Sequence, residues 1–161
     1  MDEPKWLVDE MLGRLSRYLR FLGYDTEYVH GLTDDAVVLQ AQNTHRRVLT
    51  RDHALARRSP DSILLTHTDI AGQMQELGRA FPQLRHDVRF DRCSVCNGPL
   101  AVMERVPQAV THPPSLPPEI RDGRIPVHAC SRCGHLYWEG SHTRAVRSRL
   151  TGWFPVATVS G

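Results

Sequence analysis

The four cysteines constrain this chain more than any other feature of its sequence. They form two pairs of identical spacing, Cys93-Ser-Val-Cys96 and Cys130-Ser-Arg-Cys133. A Cys-x-x-Cys turn directs two thiolates at one centre, and two such turns complete a tetrahedral sulfur shell around zinc. A glycine follows each second cysteine closely, at Gly98 and Gly134, and lets the backbone curl round the metal. The spacing predicts a structural zinc whose closed coordination folds its module and performs no chemistry.

Two other uses of paired cysteines, disulfides and a redox dithiol, fit the sequence less well. A redox pair would follow a strand in an α/β part of the chain, and disulfides belong to oxidising compartments. The N-terminus is acidic and lacks an apolar signal core, and no run approaches the ~18 apolar residues of a membrane span. We therefore expect a cytoplasmic chain with reduced cysteines and no membrane partner.

The first ninety residues alternate between short apolar runs and segments of helical periodicity. The runs of strand type are 6–8, 26–29, 48–50 and 63–65. The helical segments are a leucine stripe over 12–22, a segment that Thr33 caps, a short helix over 53–58, and 70–80 with Asp69 as its cap. Strands and helices that alternate at short intervals predict an α/β fold with a parallel sheet and helices on its faces.

The composition changes near Phe90, where we place a domain boundary. Six prolines lie between residues 106 and 126, and this stretch is predicted to be a loop or disordered insertion. The expected organisation is therefore an α/β domain over 1–90, a zinc ribbon over 91–149 that carries the insertion, and a tail over 150–161.

Carboxylates follow the predicted strands at the points where the strands end. Asp9 and Asp52 come directly after strand runs, Asp34 and Asp35 open the next helix, and Asp69 follows the fourth run. In a parallel sheet these positions share the carboxyl edge, where such folds place their sites. For each of the last three acids taken alone, helix capping is favoured over catalysis, whereas Asp9 and Asp52 resist that interpretation. Crowded carboxylates suit Mg²⁺ or Mn²⁺, which supports attack of water on a phosphodiester.

The basic residues are almost all arginine, since Lys5 is the only lysine among 20 cations, while the net charge is only +2. Base composition of a GC-rich genome explains this bias as well as phosphate recognition by guanidinium groups does. Arg14 and Arg17 lie one turn apart on the first predicted helix. They form either an ordinary solvated face or a grip on a phosphate backbone beside the acidic edge.

Several ordered motifs resemble the Mut-seven C-terminal RNase domain, a PIN-like family. They are Val8-Asp9-Glu10-Met11-Leu12-Gly13-Arg14-Leu15, residues 18–25, Leu49-Thr50-Arg51-Asp52, the two cysteine pairs and residues 137–142. The likeness covers nearly the whole chain except the proline-rich insertion and the tail after about residue 149. It implies a PIN-like three-layer α/β sandwich with a central parallel sheet, a small C-terminal zinc ribbon, and divalent-metal ribonuclease activity.

The resemblance also assigns roles to residues. Asp9 matches the first PIN acid, Asp52 the acid of the Thr-x-Asp signature, and Asp35 the acid before the intervening helix, with Asp34 as its competitor. These acids would hold Mg²⁺ or Mn²⁺ for catalysis. A further acid that PIN enzymes carry on a middle helix has no clear counterpart here. The expected RNA contacts are Arg14, Arg17, Arg51, Tyr137, Trp138 and His142.

Three functional hypotheses remain open from the sequence. The first is a metal-dependent ribonuclease whose zinc ribbon assists RNA binding. The alternative is a non-catalytic RNA- or ribonucleoprotein-binding module with a vestigial acidic site. A toxin of a toxin–antitoxin pair follows from PIN kinship alone, and the added ribbon argues against it. No Ser-His-Asp arrangement, phosphate-binding glycine loop or dinucleotide fingerprint competes with these hypotheses.

Overall fold

The computed structural model describes residues 2–103 and 116–155. The strands are β1 (Trp6–Val8), β2 (Thr26–Tyr28), β3 (Arg47–Thr50), β4 (Ile63–Leu64), β5 (Leu100–Met103), β6 (Val127–Cys130) and β7 (Leu136–Tyr137). The α-helices are α1 (Gly13–Phe21), α2 (Asp34–Asn43), α3 (His53–Arg58), α4 (Ile70–Ala80), α5 (Pro118–Arg121) and α6 (Ser141–Trp153). A 3-10 turn, Glu10–Leu12, leads from β1 into α1.

The central sheet has four parallel strands in the order β2-β1-β3-β4. Successive side chains of a strand point to opposite faces, so Trp6 and Val8 enter one apolar cluster while Leu7 enters another. The first cluster is closed by α1, α4 and α6, and the second by α2 and α3. Helices therefore cover both faces, and the predicted three-layer α/β sandwich is confirmed.

Local signals in the sequence account for most element boundaries in this sandwich. Thr33 caps α2 by accepting a hydrogen bond from the Ala36 amide, and Asp69 caps α4 through the Gly72 amide, as predicted. Helix α1 ends at Phe21, and Gly23, directly after the C-cap Leu22, has a φ of +86° that residues with a Cβ rarely adopt. The short helix α3 spans the six residues that the apolar pattern indicates.

The second sheet is an antiparallel ribbon in the order β5-β6-β7. The structure corrects the prediction for part of the proline-rich stretch that connects β5 to β6. Residues 104–115 lie outside the described part of the chain. Over 118–121 the loop prediction is wrong, because Pro118 begins helix α5 and Ile120 is buried against Val127 and Leu136. Proline suits the first turn of a helix, where its missing amide hydrogen has no partner to lose.

Helix α6 follows the ribbon in sequence but packs on the sandwich. Its Val146 and Leu150 are buried in the same cluster as Trp6 and Leu15. Helix α6 therefore crosses the predicted boundary between the ribbon (91–149) and the tail (150–161), and it contributes to the core of the first domain. None of the helices in the described ranges is long and apolar enough to cross a membrane.

Candidate functional site

The two cysteine pairs meet in one cluster. All four sulfur atoms lie within 4.8 Å of one another, with Cys93 Sγ 3.6 Å from Cys133 Sγ and Cys96 Sγ 3.4 Å from Cys130 Sγ. Tetrahedral zinc with Zn–S bonds of about 2.3 Å requires sulfur separations of about 3.8 Å. The observed separations are close to that value and far above the ~2.05 Å of a disulfide. The four thiols therefore fit a zinc ion in both number and geometry.

Both cysteine turns use the same backbone geometry. Asn97 and Gly134, each directly after a second cysteine, have φ values of +67° and +76°. Each donates its amide to the carbonyl of the first cysteine of its pair, over 2.9 Å and 3.0 Å. Gly98 has another role than the predicted curl, because a Cβ there would lie 2.7 Å from the Cys130 sulfur. The tight turn of the first pair is thus made by Asn97, and Gly98 leaves room for the metal ligands.

Tyr137, an expected RNA contact, turns its hydroxyl towards the cysteine cluster. This hydroxyl lies 3.0 Å from Cys93 Sγ and accepts a hydrogen bond from the Ser94 amide, also over 3.0 Å. Burial, together with the adjacent Cys93 sulfur, raises the pKa of Tyr137 to about 12. The phenol therefore stays neutral and able to donate to a thiolate, as groups around metal ligands do.

The first cysteine turn is anchored to the sandwich by Arg20, which is 8% exposed. Its guanidinium donates to the Thr26 carbonyl over 2.9 Å and to the carbonyls of Ser94 and Val95 over 3.2 Å each. Burial lowers the pKa of Arg20, and the neighbouring Cys93 and Cys96 thiols act in the opposite direction. A buried cation therefore lies beside the sulfur shell, where it offsets thiolate charge.

Asn97 makes a second link between the cysteine turn and the sandwich. Its side-chain oxygen accepts from the Thr26 amide over 2.9 Å, and its Nδ2 donates to Asp25 over 2.7 Å. Burial alone would raise the pKa of Asp25, but hydrogen bonds from Arg46 and Asn97 bring it below the ordinary value. The edge strand β2 is thus covered by the cysteine turn through buried, charge-assisted hydrogen bonds.

The carboxyl edge of the central sheet gathers two of the predicted acids around one hydroxyl. Asp9 follows β1 and is half-buried; its Oδ2 accepts a hydrogen bond from Thr50 Oγ1 over 2.9 Å. The same Thr50 oxygen accepts the Asp52 amide over 2.9 Å. Thr50 is fully buried in β3, next to β1. Its hydroxyl therefore ties the ends of these two strands together and fixes the Asp9 carboxylate.

Asp9 and Asp52 also cap helices, which corrects the expectation that these two acids resist that interpretation. Asp9 Oδ1 accepts the Glu10 amide over 2.8 Å at the start of the 3-10 turn. Asp52 Oδ1 accepts the amides of Ala54 and Leu55 at the start of α3. The other oxygen of Asp52 has no hydrogen-bond partner in the described part of the chain. Capping and an open carboxylate oxygen coexist at this edge.

Asp34 and Asp35 occupy the first turn of α2, while Thr33 provides its cap. Asp35 is 81% exposed and pairs with the Arg58 guanidinium of α3. Within residues 2–103 and 116–155, only the four cysteines form a group of three or more ligand atoms that all lie within 4.8 Å. The structure thus brings Asp9 and Asp52 together through Thr50 and leaves Asp35 bound to Arg58.

The remaining expected RNA contacts lie on two different surfaces. Arg14 and Arg17 are exposed on α1, and Arg51 is half-buried between Thr50 and Asp52 with its Nε unpartnered among the described residues. Trp138 packs on the small apolar core of the ribbon. The ring of His142 lies 5.7 Å from that of Phe21, at the start of α6. Arg51 therefore lies at the acidic edge and Arg14 and Arg17 lie on the helix that follows Asp9, whereas the aromatic residues belong to the ribbon and its junction with α1.

Comparison with known proteins gives one match. The model of a family described as the Mut7-C RNAse domain matches residues 4–150, which is most of the chain. No curated protein and no solved structure matches the chain.

Proposed function

The chain belongs to the Mut7-C RNAse domain family, and on this premise we propose that it hydrolyses RNA phosphodiesters with a divalent metal ion at the carboxyl edge of the central sheet. The family implies RNA as the substrate. The observation that carries the proposal is the Thr50 hydroxyl, which joins Asp9 and Asp52 at the ends of adjacent parallel strands. This edge is where parallel α/β folds assemble their sites.

Asp9 and Asp52 would hold Mg²⁺ or Mn²⁺, and Asp35, or its neighbour Asp34, would join them from the start of α2. Carboxylate oxygens are the donors that these hard cations prefer. When bound, such an ion activates water and offsets charge on the scissile phosphate. Thr50 orients the Asp9 carboxylate by donating to Oδ2, and the start of α3 holds Asp52 by one oxygen only.

Arg14, Arg17 and Arg51 would hold the RNA backbone beside these acids, because guanidinium groups match phosphate geometry. The ribbon would assist with Trp138 and His142, and Tyr137 would act mainly on the zinc site that its hydroxyl faces. Four thiols without disulfide partners suit a reducing compartment, so we place this activity in the cytoplasm.

One observation favours a second candidate, an RNA-binding module with a vestigial acidic site. Asp35 is paired with Arg58 and does not lie in a shared ligand group with Asp9 and Asp52. Two carboxylates hold Mg²⁺ less firmly than three, and a neutralised third acid reduces the charge that attracts the ion.

Cleavage of a panel of cellular RNAs tests the proposal. The protein is incubated with Mn²⁺, with Mg²⁺, or with neither, as the wild type and as Asp52→Asn. Asp61→Asn is the matched control, because Asp61 is an exposed acid before β4, at the opposite edge of the sheet. We expect cleavage that needs the metal, is lost in Asp52→Asn and persists in Asp61→Asn. Wild-type protein that binds RNA and leaves it intact with both metals would establish the binding module instead.

A further inference from the structure

A groove of about 450 Å³ opens between the start of α1, the start of α4 and the end of α6. Side chains from all three helices line it, among them Met11, Arg14, Asp69, Gln73, Arg149 and Trp153. The groove exists because α6 returns from the ribbon and packs across α1 and α4.

The groove adjoins the acidic edge. Its Met11 and Leu12 belong to the 3-10 turn that Asp9 itself caps. Its Thr68 and Asp69 follow β4, whose carboxyl end lies next to that of β3. The groove lining therefore begins at Met11, two residues after Asp9 in the sequence.

Two unpaired arginines give the groove a positive charge. Arg14 and Arg149 are both exposed, and neither forms an ion pair with a carboxylate among the described residues. Arg149 is held in place by a 3.1 Å hydrogen bond from its Nη1 to the Tyr18 hydroxyl. The one acid on the wall, Asp69, accepts the Gly72 amide over 2.9 Å as the cap of α4, and this bond lowers its pKa. The helix N-terminus offsets its charge.

The third element of the groove is an aromatic surface. Trp153 is half-buried, and its ring centroid lies 5.0 Å from that of Tyr18. Its carbonyl accepts a hydrogen bond from Gln75 Nε2 over 3.2 Å, which fixes the end of α6 on α4. Tyr18 therefore supports both the indole and the Arg149 guanidinium, so that stacking and phosphate-binding groups are held side by side.

We propose that this groove binds one nucleotide of single-stranded RNA adjacent to the scissile phosphate, with its phosphate on Arg14 and Arg149 and its base on Trp153. The inference rests on the proposed function and extends it to the strand that the site accepts. A volume of about 450 Å³ suits a ligand of nucleotide size. A base inside a duplex is stacked on both faces and cannot lie on an indole, so this site selects unpaired RNA.

The phosphate part is tested by binding of a fluorescein-labelled single-stranded RNA octamer, measured by anisotropy without Mg²⁺ or Mn²⁺ so that the strand stays intact. Arg14→Gln/Arg149→Gln is compared with Arg144→Gln, an exposed arginine of α6 outside the groove lining. We expect the double variant to bind about tenfold more weakly or worse. Its log–log salt slope should become shallower by about 1.4, because each phosphate contact to a single strand contributes about 0.7. The control should change less than twofold.

The base part is tested by tryptophan fluorescence. Adding the unlabelled octamer should quench the wild type. Trp153→Phe, which keeps a ring against Tyr18, should lose the part of that quenching that comes from Trp153, should keep any part from Trp138, and should melt at the same temperature. A hairpin of equal length with its bases paired should quench little.

Equal weakening by the groove variant and by Arg144→Gln, or full quenching in Trp153→Phe, would overturn the groove assignment. Neither readout involves catalysis. Absent cleavage with normal groove binding would therefore count against the proposed function alone, and normal cleavage with unchanged binding in the groove variant would count against the groove alone.

Discussion

The cysteine cluster and the acidic edge are both candidate metal sites, but the protein surrounds them very differently. The four sulfurs converge within 4.8 Å, and the buried Arg20 and Asn97 join the first cysteine turn to the sandwich. At the acidic edge the Thr50 hydroxyl joins the Asp9 carboxylate to the Asp52 amide, and Asp35 is 81% exposed. A structural zinc site has all its ligands supplied by the protein, whereas a catalytic one leaves room for water and substrate. We infer from this difference that zinc held by the four cysteines would stabilise the fold, whereas the acidic edge is supported by a fold that forms without its metal.

The largest expected effect comes from removing a zinc ligand. Losing a structural zinc site forfeits on the order of 10 kcal/mol of coupled folding free energy. Cys96→Ser should therefore yield insoluble or protease-sensitive protein, and metal analysis of the wild type should give close to one equivalent of zinc. Strong chelation should unfold the ribbon first and weaken the packing of α6, which follows it in sequence. Soluble wild-type protein that contains no zinc would contradict the assignment of the cysteine cluster as a structural zinc site.

The next effect tests the link between the cysteine turn and the sandwich. Arg20→Met leaves the carbonyls of Thr26, Ser94 and Val95 without their buried donor, which should cost about 2–4 kcal/mol of unfolding free energy in urea. Zinc release to a chelator should also become faster, because a cation beside the thiolates is gone. The matched control is Arg17→Met, an exposed arginine on the same helix, with an expected change below about 0.5 kcal/mol. Equal stability of the two variants would show that the hydrogen bonds of Arg20 do not contribute to the unfolding free energy.

Thr50→Val probes the acidic edge with a substitution of nearly equal volume. The valine removes the hydrogen bonds to the Asp9 carboxylate and the Asp52 amide. We expect cleavage to slow by about 10- to 100-fold, as when a partner that orients a metal ligand is removed. The unfolding free energy should fall by only about 1 kcal/mol. Unchanged cleavage in this variant would mean that the shared hydroxyl does not position the acids.

One carboxylate near this edge, that of Glu76, is held by several hydrogen bonds. Glu76 of α4 accepts hydrogen bonds from the Thr66 amide over 2.8 Å and from the Thr66 hydroxyl, and it lies 2.7 Å from His67 Nδ1. Burial alone would raise the pKa of Glu76, but these bonds lower it from 4.5 to about 2. Because the folded pKa lies below the unfolded one, this stabilisation is complete above about pH 4.5 and is lost as the pH falls towards 2.

Glu76→Gln should therefore flatten the acid limb of the stability curve by about 1–2 kcal/mol between these pH values and leave the zinc site unchanged. Urea unfolding at stepwise lower pH measures it. A wild-type curve with the same acid limb as the variant would contradict the role of Glu76 in holding the loop after β4.

The sequence predicted the sandwich well because its signals are local. Short apolar runs and segments of helical periodicity define β1 to β4 and α1 to α4, and side chains such as Thr33 and Asp69 cap the helices that follow them. The four cysteines could also be identified from the sequence as one candidate zinc site, because the two cysteines of each pair lie within one turn of the chain.

What the sequence did not reveal depends on contacts between distant residues. The Thr50–Asp9 bond spans two strands, and the Asp35–Arg58 pair joins α2 to α3. The return of α6 to the sandwich was signalled only by Val146 and Leu150, which lie one turn apart in a segment that we divided between ribbon and tail. Candidate site residues can thus be identified from the sequence, but the residues that they contact are known only from the tertiary structure.

The most direct test of catalysis at the acidic edge is the Asp9→Asn variant. RNA cleavage in Mn²⁺, RNA affinity and unfolding free energy are measured on the same preparation. Asparagine is as good a cap as aspartate, and its amide can face Thr50 Oγ1, so the fold should keep its stability. Cleavage should be lost while RNA binds equally well or slightly better, because a carboxylate that repels phosphate is gone. Undiminished cleavage in both Asp9→Asn and Asp52→Asn, or an Asp9→Asn variant that loses stability and keeps its activity, would contradict the assignment of the chemistry to this edge.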